Sequence, residues 1–134
     1  MKPVSFAEFF DECKQRLTPG QIFNLQGSAT YFKLDGGGYC GLIIEPDRVW
    51  VSILVGGIKD VWHIRREMVK NGVPLVGWKC RPESPMHKIA KYYGAQIEDS
   101  GDTYPDGMIA LLCLIKTRQT RRVKKIKEES QALT

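Results

Sequence analysis

The stretch VWVSILVGGIKDVWHIRREMVKNGVPLVGWKCRPESPMHKIAKYYGA, residues 49–95, decides how this chain is built. Val49 to Val55 alternates with apolar residues on both sides: Val49, Val51, Ile53 and Val55 on one face, Trp50 and Leu54 on the other. A strand apolar on both faces belongs in the middle of a sheet. Gly56-Gly57 breaks it, and Lys59 to Asn71 then has helical spacing, with Val61, Ile64 and Met68 inward and Lys59, Arg66 and Lys70 outward, ended by Asn71-Gly72. Pro74 to Cys80 is the next strand, so the unit reads as strand, crossover helix and parallel neighbouring strand. Ser84 then caps a short helix with Pro85 at its first position and Met86, Ile89, Ala90 and Tyr93 on its inner stripe, and Gly94 stops it.

Outward from this unit, Ser5 to Leu17 carries Phe6, Phe9, Phe10, Cys13 and Leu17 at helical spacing, with Ser5 and Glu8 as a capping box and Pro19-Gly20 as the stop. From Gln21 onward the pattern is β-like: Thr30 to Leu34, Tyr39 to Glu45 and Val49 to Val55 read as an antiparallel meander. Ala95 to Glu98 and Met108 to Lys116 form a last hairpin around a polar, exposed loop from Asp99 to Gly107. The fold class is α/β (α+β), with a mixed, mostly antiparallel sheet flanked by helices.

A hydrophobic share of 43% over 134 residues supports one core, expected at residues 1–115. No apolar run approaches the roughly 20 residues that span a bilayer, and the start MKPVSFAEFF does not read as a secretory leader, so the expectation is a soluble cytoplasmic protein. Cys13, Cys40, Cys80 and Cys113 stand 27, 40 and 33 residues apart with no CxxC pair, which argues against a metal site; Cys80 and Cys113, in apolar runs, read as buried thiols. Residues 1–115 hold 13 basic and 13 acidic groups, whereas 116–134 hold seven and two, so the whole net charge of +5 belongs to a basic C-terminal extension. Lys116, Arg118, Arg121, Arg122, Lys124, Lys125 and Lys127 suit nucleic-acid phosphates, an anionic partner surface or an acidic membrane face, or simply a solvated tail.

Helix, meander, central strand, glycine turn, helix, strand, short helix ending in glycine and final hairpin is an element order that resembles the GNAT acyltransferase superfamily. The most specific local match is RPESPMHKIAKYYGA, residues 81–95. The resemblance implies that Val49 to Val55 and Pro74 to Cys80 splay apart to admit the pantetheine arm of acetyl-CoA, with Ile53, Leu54 and Val55 along it and Gly56, Gly57, Ile58 and Lys59 under the pyrophosphate. Backbone N–H groups and the dipole of a helix start suit an anion. The chain departs from the family in three places: its phosphate turn is VGGIKDVW with adjacent glycines, Ala90 stands where the family often has a proton-donating Tyr, and Glu83 stands where it often has Asn. The chain is also similar to small GNAT-like proteins of tailed phages, including internal virion proteins, in size and in the Gly94-Ala95 step.

Acylation of an amine needs a base for its proton and a donor for the developing oxyanion. An N–H near Ile53 to Val55 suits the donor role. Among Asp35, Glu45, Asp47 and Glu83, the last directly follows the strand bordering the cleft and is the candidate base; Tyr92 is the candidate acid, since Tyr93 falls on the apolar stripe. His63 and His87 have no Cys or Ser partner at a recognisable spacing, Ser84 reads as a cap, Gly36 to Gly38 as a hairpin connection, and Trp50, Trp62 and Trp78 as packing residues. Two functions follow: an acyl-CoA-dependent N-acyltransferase acting on an amine, or a non-catalytic relative, cytoplasmic or in a virion, that binds nucleic acid or a phage structural protein through its basic tail.

Overall fold

A computed structural model describes residues 1–23, 25 and 27–117. The order of elements is β1 (Lys2–Val4), α1 (Phe6–Cys13) with a 3-10 turn (Lys14–Arg16), α2 (Pro19–Phe23), β2 (Thr30–Lys33), β3 (Tyr39–Ile44), β4 (Arg48–Val55), α3 (Ile58–Lys70), β5 (Leu75–Cys80), α4 (Pro85–Tyr92), β6 (Gln96–Thr103) and β7 (Ile109–Lys116). One seven-stranded sheet runs β1-β2-β3-β4-β5-β7-β6, antiparallel throughout except for the parallel pair β4 and β5. Arg118, Arg121, Arg122, Lys124, Lys125 and Lys127 lie outside the described residues.

The strand that centres the sheet does not keep the alternation its sequence suggests. Its ladder with β3 passes from Ile53 opposite Gly41 to Val51 opposite Leu42, so Ser52 is an extra residue, a bulge. One extra residue exchanges the faces of everything beyond it. Val49 and Val51 accordingly join the core under α3 and α4, with Val61, Ile64, Met68, Val76 and Trp78, and Leu54 packs against that core. Ile53 and Val55 enter a second core on the opposite face with Phe9, Cys13, Tyr31 and Tyr39, beneath α1. The single apolar face read for Val49, Val51, Ile53 and Val55 is therefore divided between two cores.

Three other local readings change. Pro19-Gly20 does not end helical structure but opens α2: Thr18 Oγ1 accepts from Gln21 N–H at 3.1 Å while the Gln21 side chain accepts from Thr18 N–H at 2.9 Å, and Pro19, lacking an N–H, fits the first helical position. β1 was not read at all. β6 runs to Thr103, with an irregular register after Asp99, so the connection read as Asp99 to Gly107 shrinks to Tyr104 to Met108.

β4 and β5 share only three paired positions, Arg48 with Leu75, Val49 with Val76 and Trp50 with Gly77, and then diverge. At the fork the Trp50 ring lies over Gly77, where a Cβ would stand 2.9 Å from the ring and 2.9 Å from Leu114 Cδ2. Trp78, the next residue, is buried on the opposite face. Gly77 is thus required by the close approach of a large side chain. Gly77→Ala should destabilise the fold by about 1–3 kcal/mol, the usual penalty for overpacking, whereas Gly27→Ala, with nothing within 4 Å of the added carbon, should stay near neutral; urea midpoints of the two variants check the contrast.

Candidate functional site

Beyond Trp50 no strand among the described residues lies against the β5 side of β4, and a cleft of about 620 Å³ fills the gap. Val51 to Leu54 and Trp78 to Arg81 line it from the two strands, and Ser84 and Met86 at the start of α4, Thr18, Gly20 and Gln21 around α2, and the β6–β7 loop complete the lining. Those elements reach the cleft for local reasons. Ser84 Oγ accepts from Met86 N–H at 3.1 Å, which fixes the start of α4 at the exit of β5. The Thr18–Gln21 box fixes α2, and both residues line the cleft.

The β6–β7 loop is pinned by charge. Arg81 Nη1 donates to Asp106 Oδ2 at 2.6 Å, stands 3.7 Å from Glu83 and stacks over the Tyr104 ring with its Cζ 4.3 Å from the centroid. Lys79 Nζ meets Asp102 at 2.7 Å. Tyr104 and Pro105 thereby form part of the cleft wall. The hydrogen bond from Arg81 holds the Asp106 carboxyl below the ordinary carboxylate range. Burial pushes the Tyr104 phenol up, the Cys80 thiol adds to this, and Arg81 opposes it. Trp78 is only 2% exposed, and its Nε1–H has no nitrogen or oxygen acceptor; the adjacent Cys80 sulfur is the soft neighbour it acts on. Cys80 Sγ lies 3.8 Å from Cys113 Sγ, and all four cysteines are free, buried thiols. Burial pushes Cys40 and Cys113 up to about 12, so both are protonated at neutral pH.

Of the residues the sequence pointed to, Ile53 and Leu54 line this cleft. Val55 is buried in the core under α1. Gly56 and Gly57 make a two-residue turn into α3, where Ile58 and Lys59 begin the helix. That helix start has an internal occupant. Asp60, 8% exposed, accepts from Gly57 N–H through Oδ2 at 2.8 Å, while its Oδ1 is buried and unpaired. Cβ atoms at Gly36 and Gly38 would approach Asp60 Oδ1 to 3.2 and 2.8 Å, and one at Gly56 would overlap Oδ2, so three glycines make room for one carboxylate. Glu83 sits beside Arg81 with its side chain more than half exposed. Tyr92 is 72% exposed on α4 and is not part of the cleft wall. Tyr93 packs against the core, and its hydroxyl donates to Ile58 O at 2.7 Å, tying the end of α4 to the start of α3. His87 Nδ1 is 2.7 Å from Pro82 O, and His63 stacks edge-on with Trp62. Ser52, Trp78, Arg81 and Tyr104 belong to the cleft without having been singled out as site residues.

No family model and no curated protein matches this sequence. Solved structures do. The ribosomal-protein-S18-alanine N-acetyltransferase from Escherichia coli superposes with a TM-score of 0.63 at 12% identity, over 88% of this chain and 93% of that one. This chain has the GNAT fold. A second GNAT-like match, yncA from Salmonella typhimurium with its cofactor acetyl-CoA, gives a TM-score of 0.53 at 11% identity over 87% of this chain and 76% of that one. The GNAT fold implies an acyl-CoA, and the residues fit its pantetheine arm. Among the described residues Val51 to Val55 have no strand on their β5 side, which suits an extended amide-bearing chain. For the phosphates the fit is narrower, since Gly56 to Lys59 are not among the residues that line the cleft. Ile58 and Lys59 head the helix with first-turn amides that have no intrahelical acceptor, but Gly57 N–H is already bonded to Asp60.

The Arg81–Asp106 pair sets a pH dependence for the loop carrying Tyr104. Asp106 has a depressed folded-state pKa, so its contribution is present above the ordinary carboxylate pKa and is lost as pH falls through the lower folded value. The Gly107 amide, which donates to Tyr104 O at 2.8 Å, should keep its exchange protection at pH 4 and lose it only in stronger acid. Asp106→Asn should lower that protection at pH 4 and above and match wild type in stronger acid, as read by amide exchange.

Proposed function

We propose that this protein is an acyl-CoA-dependent N-acyltransferase that moves an acyl group, acetyl in the simplest case, to an amine. The observation that supports this most is the parting of β4 and β5 after three paired positions, with a cleft of about 620 Å³ between them. The same fold in a structure solved with acetyl-CoA adds to it. When bound, the donor supplies a thioester carbonyl activated toward amines. Ile53 and Leu54, on the open edge of β4, hold the extended arm and orient that carbonyl. Val55, Gly56 and Gly57 lead the chain into α3, where the Ile58 and Lys59 amides and the Lys59 ammonium attract the phosphates. Glu83, beside Arg81 at the β5 exit, takes the amine proton directly or through water. The alanine α-amine named for the Escherichia coli neighbour makes a peptide α-amine the first acceptor to test.

A second reading, a GNAT-like protein that binds without turnover, is favoured by one observation, the buried Asp60 carboxylate bonded to an amide of the helix start. In that reading the basic segment 116–134 contacts a partner protein or nucleic acid, as in phage virion proteins that the sequence resembles. Titration with acetyl-CoA separates the two. The enzyme should bind at micromolar concentration and gain about 2.7 kcal/mol of stability at a hundredfold excess over Kd; no thermal shift at millimolar acetyl-CoA overturns it. Asp60→Asn keeps an acceptor for the Gly57 N–H and removes a negative charge near the phosphates. It should tighten acetyl-CoA binding by roughly three- to tenfold at low salt, the gain shrinking as ionic strength rises.

A further inference from the structure

The β6–β7 loop brings to the cleft a protonated donor that no other described residue engages. Tyr104 lines it from the β6–β7 loop, its hydroxyl has no hydrogen-bond partner among the described residues, and its ring is fixed from two directions. The Arg81 guanidinium lies 4.3 Å from the ring centroid, and the backbone around the ring is closed by Tyr104 N–H to Met108 O and Gly107 N–H to Tyr104 O, both 2.8 Å. The half-buried Tyr104 thus presents a positioned O–H that a molecule in the cleft can accept from.

Most other polar groups of the cleft are committed, and the Trp78 N–H is buried in the core. Thr18 Oγ1 and Ser84 Oγ act as helix caps. Lys79 is ion-paired with Asp102, and Arg81 is paired with Asp106 and does not give up its proton. The Cys80 thiol lies against Cys113.

We propose that Tyr104 is the general acid of the acyl transfer and protonates the departing thiolate. This rests on the acyltransferase reading above. The amine nitrogen attacks the thioester carbonyl carbon, the C–N bond forms and the C–S bond breaks. The sulfur takes the proton from Tyr104 Oη, and the amine's surplus proton leaves through Glu83 or water. The phenolate regains a proton from solvent, so one thioester and one amine give one amide and one thiol. The surroundings suit both halves of that cycle. Burial keeps the resting phenol protonated, and the Arg81 charge over the ring, with Lys79 nearby, meets the phenolate when it forms. Tyr92, 72% exposed on α4, has no comparable position.

The test follows release of free thiol from acetyl-CoA with hydroxylamine as the acceptor, in wild type, Tyr104→Phe and Tyr104→His. Tyr104→Phe should lose about 10²- to 10⁴-fold in kcat, the range for a positioned acid, while its Kd for acetyl-CoA and its thermal midpoint stay within about twofold and a few degrees. Tyr104→His should recover part of the rate at pH 6 and lose it by pH 8, because imidazolium is then the donor; a purely structural role would not create that profile. Full activity in Tyr104→Phe, or a His variant with the pH profile of wild type, overturns the assignment and leaves the acyltransferase reading standing. Wild type that binds acetyl-CoA but releases no thiol in a single-turnover mixture overturns both.

Discussion

One surplus residue in a central strand governs the rest of the architecture. Ser52, unmatched on β3, reverses which faces of β4 look toward which helices. The strand thereby serves as the shared wall of two cores: Val49, Val51 and Leu54 under α3 and α4, and Ile53 and Val55 under α1. The bulge lies two residues past the last position paired with β5. The same irregularity that lets β4 satisfy both cores also accompanies its departure from β5, so the cleft follows from packing on both sides of the sheet.

Electrostatics then set what the cleft can hold. The helix start that the fold presents to an anion already carries Asp60 in its first turn, enclosed by Gly36, Gly38 and Gly56. A buried carboxylate with one unpaired oxygen is costly, and the amide it accepts from offsets only part of that. The charges along the cleft itself are arranged differently. Lys79 and Arg81 are matched by Asp102 and Asp106, so that rim is close to neutral and its role is mechanical, fixing the loop that carries Tyr104.

The sequence made α3 and α4 plain because their inner residues, Val61, Ile64 and Met68 in one and Met86, Ile89, Ala90 and Tyr93 in the other, repeat at helical spacing, and because Ser84, Pro85 and Gly94 mark the ends of α4. The parallel pair β4 and β5 followed from the crossover. The bulge was invisible, since Val49, Val51, Ile53 and Val55 alternate without interruption and only pairing with β3 reveals that Ser52 is unmatched. β6 was read short because its second half, Asp99 to Thr103, is polar and exposed as an edge strand. Tyr104 was hidden for a related reason: it belongs to a segment that reads as solvent-exposed loop, and its place in the cleft depends on Arg81 and Asp106 meeting across 25 residues of chain.

The gap between β4 and β5 is kept open by what lies outside it. β4 is held by six paired positions to β3 and β5 by six to β7, so neither strand can swing inward without breaking a ladder of its own. At the fork two indoles stand on opposite faces, Trp50 over Gly77 and Trp78 in the core beneath α4, and the volume they occupy resists closure on either side. A site preformed in this way spares the ligand most of the ordering cost that an induced cleft would impose. It also means that the open edge of β4 faces the cleft before any ligand arrives, so an extended occupant can pair with it without rearranging the strand.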